Sequence, residues 1–123
     1  MAVVTQFTIT KGNELNFYIT IKEAGTILPL ELNAVTDTVS YSLVDKKTNV
    51  RYVDDKAMVI SDAKHGEVQG NISVEVSSIL PTKKAAAEDG YIPRANLRLV
   101  VNGITGSQGE FVAIIENVYV VEG

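Results

Sequence analysis

The sequence predicts an all-β protein, built as an antiparallel β-sandwich. The first observation is a strict period of two over residues 14–23, with apolar positions at Leu15, Phe17, Ile19 and Ile21. A helix would spread these positions around its circumference, whereas a strand places them on one face. The second observation is that similar stretches recur about every 8–12 residues between turn signals. Both observations favour two packed layers of short strands.

The other strands follow from turn-bounded stretches of the same kind. Residues 24–34 are different, because Pro29 removes a ladder donor and predicts an edge strand or a packed loop. The remaining strands are predicted at residues 3–10, 38–45, 50–53, 57–61, 67–77, 91–102 and 110–122.

One segment breaks the alternation. Residues 82–88 combine high helix propensity with Pro81 near their start, which predicts one or two helical turns that cross between the sheets. Seven or eight strands with one short helix fit an immunoglobulin-like sandwich, and a closed barrel is the alternative.

Length and composition point to one domain over residues 1–123. The net charge of −4 argues against binding to nucleic acid, which requires clustered cations. The absence of cysteine excludes disulfides and thiolate metal sites. We expect no signal peptide and no membrane span, because the N-terminus lacks a basic and apolar leader and no apolar run approaches about 20 residues.

The residues that could support catalysis do not form a recognisable set. His65 is the single histidine and lies in a predicted turn, which is too little for a catalytic triad or a zinc site. Asp54 and Asp55, with Asp37, Asp45 or Asp62, lack the spacing of a calcium loop and are expected to be solvated. We therefore predict no enzyme activity, no cofactor and no metal.

Two further motifs have simple structural interpretations. The glycine-rich residues 103–109 precede a strand instead of a helix, which predicts a hairpin loop and not a phosphate-binding loop. Asn71 begins a glycosylation sequon, but it lies inside a predicted strand and is discounted.

The last strand is apolar on both faces, which is unusual for a sandwich strand. Either the N-terminus, residues 28–32 or the short helix covers the second face, or another subunit does. The residues predicted to form this interface are Val112, Ile114, Val118 and Val120.

Three stretches together carry a resemblance to a known family: FTITKGNELNF at residues 7–17, YSLVDK at 41–46 and ISDAKHGEV at 60–68. They resemble the immunoglobulin-like N-terminal domain of phage baseplate upper proteins and related tail-collar proteins. The resemblance implies a structural protein of the virion, made in the host cytoplasm, that forms a homo-oligomeric ring and binds tail or fibre proteins. It implies no catalytic residues. The chain lacks the C-terminal extension of the baseplate protein, which favours a small collar or adaptor.

Two other functions remain open from the sequence. A capsid decoration protein would use the same sandwich on a different surface. A carbohydrate-binding module would expose aromatic side chains, for which Tyr18, Tyr52, Tyr91 and Tyr119 are candidates, although the chain has no tryptophan.

Overall fold

The computed structural model describes residues 6–23, 28–82, 84–87, 90–93, 96–106 and 109–122. Within these ranges the chain forms ten strands, one short α-helix and a 3-10 turn at Ala63–His65. The first six strands are β1 (Gln6–Thr10), β2 (Leu15–Thr20), β3 (Thr38–Asp45), β4 (Arg51–Ala57), β5 (Val59–Asp62) and β6 (Glu67–Ile72). Helix α1 (Val74–Ile79) follows, and then β7 (Lys84–Ala87), β8 (Gly90–Pro93), β9 (Leu97–Thr105) and β10 (Gly109–Val121).

The strands form two main sheets in a sandwich-like arrangement, which confirms the all-β prediction. One sheet has the order β1-β10-β9-β3-β4 and the other has the order β2-β6-β5, while β7 and β8 pair as a separate hairpin. Among the described strand pairs, only β1 with β10 is parallel, which corrects the purely antiparallel prediction. The immunoglobulin-like topology stays a prediction.

The alternating stretch at residues 14–23 forms the inner face of the smaller sheet, as predicted. Phe17, Ile19 and Ile21 are buried, and Tyr18 between them is exposed. The Phe17 ring packs edge-on against Tyr41 of the larger sheet, with ring centroids 5.2 Å apart. Aromatic pairs of this geometry contribute beyond the area they bury. This pair therefore joins the two layers at the centre of the core.

The helix is not where the sequence predicted it. Helix α1 occupies residues that alternate like a strand, and Ser73 caps it by accepting a hydrogen bond from the Val76 N–H at 3.3 Å. Leu80 after the helix has extended backbone, as the residue before a proline prefers. Pro81 therefore follows the end of a helix instead of starting one.

The predicted helix at residues 82–88 is wrong, because β7 lies there and pairs with β8. A seven-residue segment cannot form a stable helix on propensity alone, so tertiary pairing prevails. The predicted strand at residues 91–102 is divided between β8 and β9. These two differences explain why the described chain has more strands than the seven or eight predicted.

The segment around Pro29 is a packed loop, one of the two predicted forms. Pro29 makes a single bridge to Lys22, and the Leu30 N–H donates to the Ile21 carbonyl at 2.8 Å. Leu30 and Leu32 are buried in the core. This segment therefore closes the end of the sandwich next to β2.

Candidate functional site

A bulge in β10 separates the four residues that the sequence assigned to one interface. Between the pairs Ile115–Leu99 and Val118–Leu97, β10 advances by three residues while β9 advances by two. An extra residue in a strand reverses which face the following side chains occupy. The outward positions before the bulge are therefore even-numbered, and those after it are odd-numbered.

This reversal places Val112 and Ile114 on the surface and Val118 and Val120 inside. Val112 and Ile114 are 55% and 45% exposed, whereas Val118 and Val120 are 0% and 1% exposed and belong to the core cluster. The assignment of Val118 and Val120 to the same outer face was wrong, because a uniform period of two ignores the bulge. The interface role of Val112 and Ile114 stays a prediction.

The exposed pair on β10 belongs to a larger aliphatic patch. Ile114 pairs with the half-buried Val100 of β9, and Ile104 of the same strand is 57% exposed. The outer aliphatic patch is defined as Val100, Ile104, Val112 and Ile114. The sequence analysis missed Ile104, although its position out of phase with Leu97, Leu99 and Val101 was a usable signal.

Only one of the three predicted covers can be placed by its side chains, residues 28–32, of which Leu30 and Leu32 pack into the core beside the β2 end. The short helix predicted at residues 82–88 does not form, because β7 lies there, and the β7 side chains lie outside the description. Residues 1–4, the third predicted cover, lie outside the described residues. Within the described chain, Val112 and Ile114 keep about half of their surface open.

The polar half of the same sheet face is organised by a second bulge. β4 contains the acidic residues that were predicted to separate two strands, and its register against β3 shifts there. Ser42 is fully buried on the outer face, where its hydroxyl accepts from the Asp55 N–H at 3.0 Å and from Arg51 at 3.1 Å. Asp55 adopts a positive φ of 49°, which the contact with Ser42 stabilises.

A shallow depression of about 430 Å³ joins the polar half to the aliphatic patch. Its lining includes positively and negatively charged side chains as well as hydroxyl and amide groups. Because of the negative charges, the depression is unsuited to a strongly anionic ligand. The depression is lined by Thr38, Ser40, Arg51, Asp55, Asn102, Gly103, Ile104, Glu110, Phe111 and Val112.

The acidic residues and His65 are used for local structure. The Asp62 carboxylate lies 2.9 Å from the His65 ring nitrogen, and this hydrogen bond lowers the pKa of Asp62. His65 is exposed, as predicted. Asp54 is exposed, as expected, and pairs with Arg51 at 2.9 Å. Asp37 is buried, so the expectation that it is solvated was wrong, and it accepts from the backbone N–H of Gly106 at 3.0 Å.

The remaining sequence candidates are also placed. A strand follows the glycine-rich segment, as predicted, but the connection is shorter than the predicted loop at 103–109, because β9 continues to Thr105 and β10 begins at Gly109. Residues 107 and 108 lie outside the description. Asn71 lies in β6 and its side chain donates to the Asn16 side chain at 2.8 Å. Tyr18 is exposed on the three-stranded sheet, Tyr52 and Tyr119 are half-buried, and the Tyr91 side chain lies outside the description.

The fold and this surface define a class of protein: a two-layer β protein with an exposed, partly aliphatic sheet face. The described residues contain no group of three or more acidic or histidine side chains that could hold a metal ion. Among the described helices, none is long and apolar enough to cross a membrane. No known family model matches the chain, and no curated protein is significantly similar to it.

Proposed function

We propose that the chain is a structural protein of a tailed-phage virion, a tail collar or baseplate adaptor that self-assembles and anchors fibres or receptor-binding proteins. It acts through protein–protein contacts and not through catalysis. The particular virion assignment is supported by the resemblance of residues 7–17, 41–46 and 60–68 to the baseplate upper and collar proteins.

The observation that carries the proposal is the outer aliphatic patch. Ile104, Val112 and Ile114 come together from two neighbouring strands, and each is about half exposed. Contiguous exposed apolar surface on a soluble protein is typical of an interaction site. Burial of one such side chain contributes up to about 1.5–3 kcal/mol, so three of them can support an assembly contact.

Two other functions predict different results in the same assays. A capsid decoration protein would be a monomer or trimer in solution. A carbohydrate-binding module would bind glycans on an array through exposed aromatic side chains. The described candidate tyrosines do not gather on one surface, because Tyr18 lies on the three-stranded sheet, Tyr119 lies on the five-stranded sheet and Tyr52 packs against the core.

Native mass spectrometry of the purified chain tests the proposal. We expect a closed assembly on the order of six or twelve copies, as cyclic symmetry with a head-to-tail contact generates. Ile114→Asp should dissociate it while the monomer stays folded, since Ile114 faces outward. Val59→Asp is the matched control, because Val59 is 64% exposed on the other sheet. A monomeric wild type, or equal effects of both variants, would contradict the proposal.

A further inference from the structure

The depression on the outer face of the five-stranded sheet has an acidic part and an aliphatic part. Two carboxylates line it, those of Asp55 and Glu110, together with aliphatic side chains that include Ile104. Arg51 is the one cation of this lining, and its guanidinium already contacts the Asp54 carboxylate at 2.9 Å. The charge that remains is negative. The depression is therefore suited to a partner that presents a basic side chain next to an aliphatic one.

The acidic part of the depression reaches one end of the sheet. Glu110 pairs with Ile104 of β9, and Ile104 pairs with Thr38, the first residue of β3. From there β3 runs for eight residues to Asp45. At about 3.3 Å per residue, the two ends of this strand are about 23 Å apart. The turn that follows Asp45 therefore lies at the opposite end of the same sheet from Glu110.

This turn, residues 46–50, carries the complementary groups and is called the basic turn. It contains two lysines, of which Lys47 is exposed, and Val50 is 48% exposed. The preceding acidic residue, Asp45, is used inside the turn, because its carboxylate accepts from two backbone N–H groups at 2.9 Å each. The basic turn therefore presents a cation and an aliphatic side chain on an ordered backbone, which lowers the entropy cost of binding.

Another turn with an exposed lysine lacks this combination. In the 3-10 turn at residues 63–65, the charge of Lys64 is partly balanced by the nearby Asp62 carboxylate. The apolar residue of that turn, Ala63, packs against the core and is not available to a partner. The 3-10 turn therefore provides a matched control for the basic turn.

We propose that the basic turn of one copy docks into the depression of the next copy, where Lys47 meets the Glu110 carboxylate. Val50 then packs against Ile104 and Val112 of the outer aliphatic patch. Because the two surfaces differ and lie at opposite ends of the sheet, the contact is head-to-tail, and its repetition closes into a ring when the rotation allows it. This inference rests on the proposed function, because it names the surfaces through which the adaptor assembles with itself.

Charge reversal on each surface, followed by native mass spectrometry, tests the docking. We expect Glu110→Lys and Lys47→Glu each to convert the assembly into folded monomers, because two like charges then meet. The double variant Glu110→Lys/Lys47→Glu should assemble again, since the pair is restored with reversed signs. Lys64→Glu changes the net charge as Lys47→Glu does, and it should assemble like the wild type.

An equimolar mixture of the two single variants gives a second result. Each variant retains the surface that the other has lost, so the mixture should assemble although neither component does. If the wild type assembles and both single variants do so equally well, or if the mixture stays monomeric, the docking is wrong while self-assembly through the patch still stands. A monomeric wild type would contradict the docking and the proposed function together.

Cysteine pairs test the same contact without changing its charge pattern to a repulsive one. Positions 47 and 110 are more than about 20 Å apart within one chain, too far for an intramolecular disulfide. Because the natural chain has no cysteine, mild oxidation of Lys47→Cys/Glu110→Cys should give a ladder of covalent oligomers on a denaturing gel. The control pair Lys64→Cys/Glu110→Cys should stay monomeric. Equal ladders from both pairs, or no ladder from the first, would overturn the inference.

Discussion

At the scale of single residues, Tyr41 links the two sheets by a hydrogen bond as well as by packing. Its ring is fully buried and its hydroxyl donates to the Asn71 carbonyl of the other sheet. Lys56 also donates to this carbonyl, at 3.0 Å, so Tyr41→Phe leaves the acceptor satisfied. We expect Tyr41→Phe to lower the free energy of unfolding in urea by about 1 kcal/mol. Tyr18→Phe, on the surface, should change it by less than about 0.5 kcal/mol; equal losses would contradict this assignment.

Tyr41 also makes the stability depend on alkaline pH. Burial raises the pKa of Tyr41 from 10.0 to about 12 in the folded chain. Between these values the unfolded chain releases this proton and the folded chain retains it, so the stabilisation is complete below pH 10 and is lost as the pH rises towards 12. We expect the Tyr41→Phe variant to lose less stability than the wild type over this interval. Parallel pH profiles of the two proteins would exclude this contribution.

Gly103 shows how a single residue fixes the packing across a strand pair. A Cβ at Gly103 would overlap the Phe111 ring, which crosses directly over the glycine. We expect Gly103→Ala to destabilise the fold by about 1–3 kcal/mol in chemical denaturation, because the ring must move. Gly106→Ala is the control, since a Cβ there meets nothing within 4 Å. The double variant Gly103→Ala/Phe111→Leu should lose less stability than the sum of the two single variants, because the ring is then absent. Strictly additive losses would show that the Phe111 ring is not the cause of the Gly103→Ala effect.

At the scale of elements, periodicity predicted the buried faces correctly where the backbone is regular. The inward positions of β2 and β3 follow a period of two, and Val39, Tyr41 and Leu43 are all buried. The same rule failed on β10, because the bulge after Ile115 reverses the faces and no residue type there announces it. The sequence therefore predicted a strand that is apolar on both faces, but it could not show which of its residues lie on the outer face.

In helix α1 the period of two predicted the wrong element. Its sequence alternates like that of a strand, but the cap at its first turn stabilises a helix. The Ser73 hydroxyl satisfies an N–H that would otherwise lack a partner at the helix start. We expect Ser73→Ala to destabilise the protein by about 1 kcal/mol in thermal or urea unfolding. Ser78→Ala, at an exposed position near the helix end, should stay within about 0.5 kcal/mol of the wild type. If the two variants behave alike, the cap does not contribute as described.

At the scale of the whole molecule, the β-sandwich architecture was predictable from the sequence. Which residues meet on its surface was predictable only in part. The core forms from alternating positions, which a single sequence displays. The polar half of the outer face depends on a bulge that brings Arg51 and Asp55 over Ser42, residues 9 and 13 positions apart in the chain. Such long-range juxtapositions follow from strand register and are not visible in local patterns.

Thiol labelling tests the role of the outer aliphatic patch most directly, because the natural chain contains no cysteine. Val112→Cys places one thiol in the patch, and Val59→Cys places one at a similarly exposed position on the other sheet. In the assembled protein we expect the thiol at position 112 to react much more slowly than the one at 59, with equal rates after dissociation. Equal rates in the assembled state would show that the patch is open to solvent and would contradict its role as the contact surface.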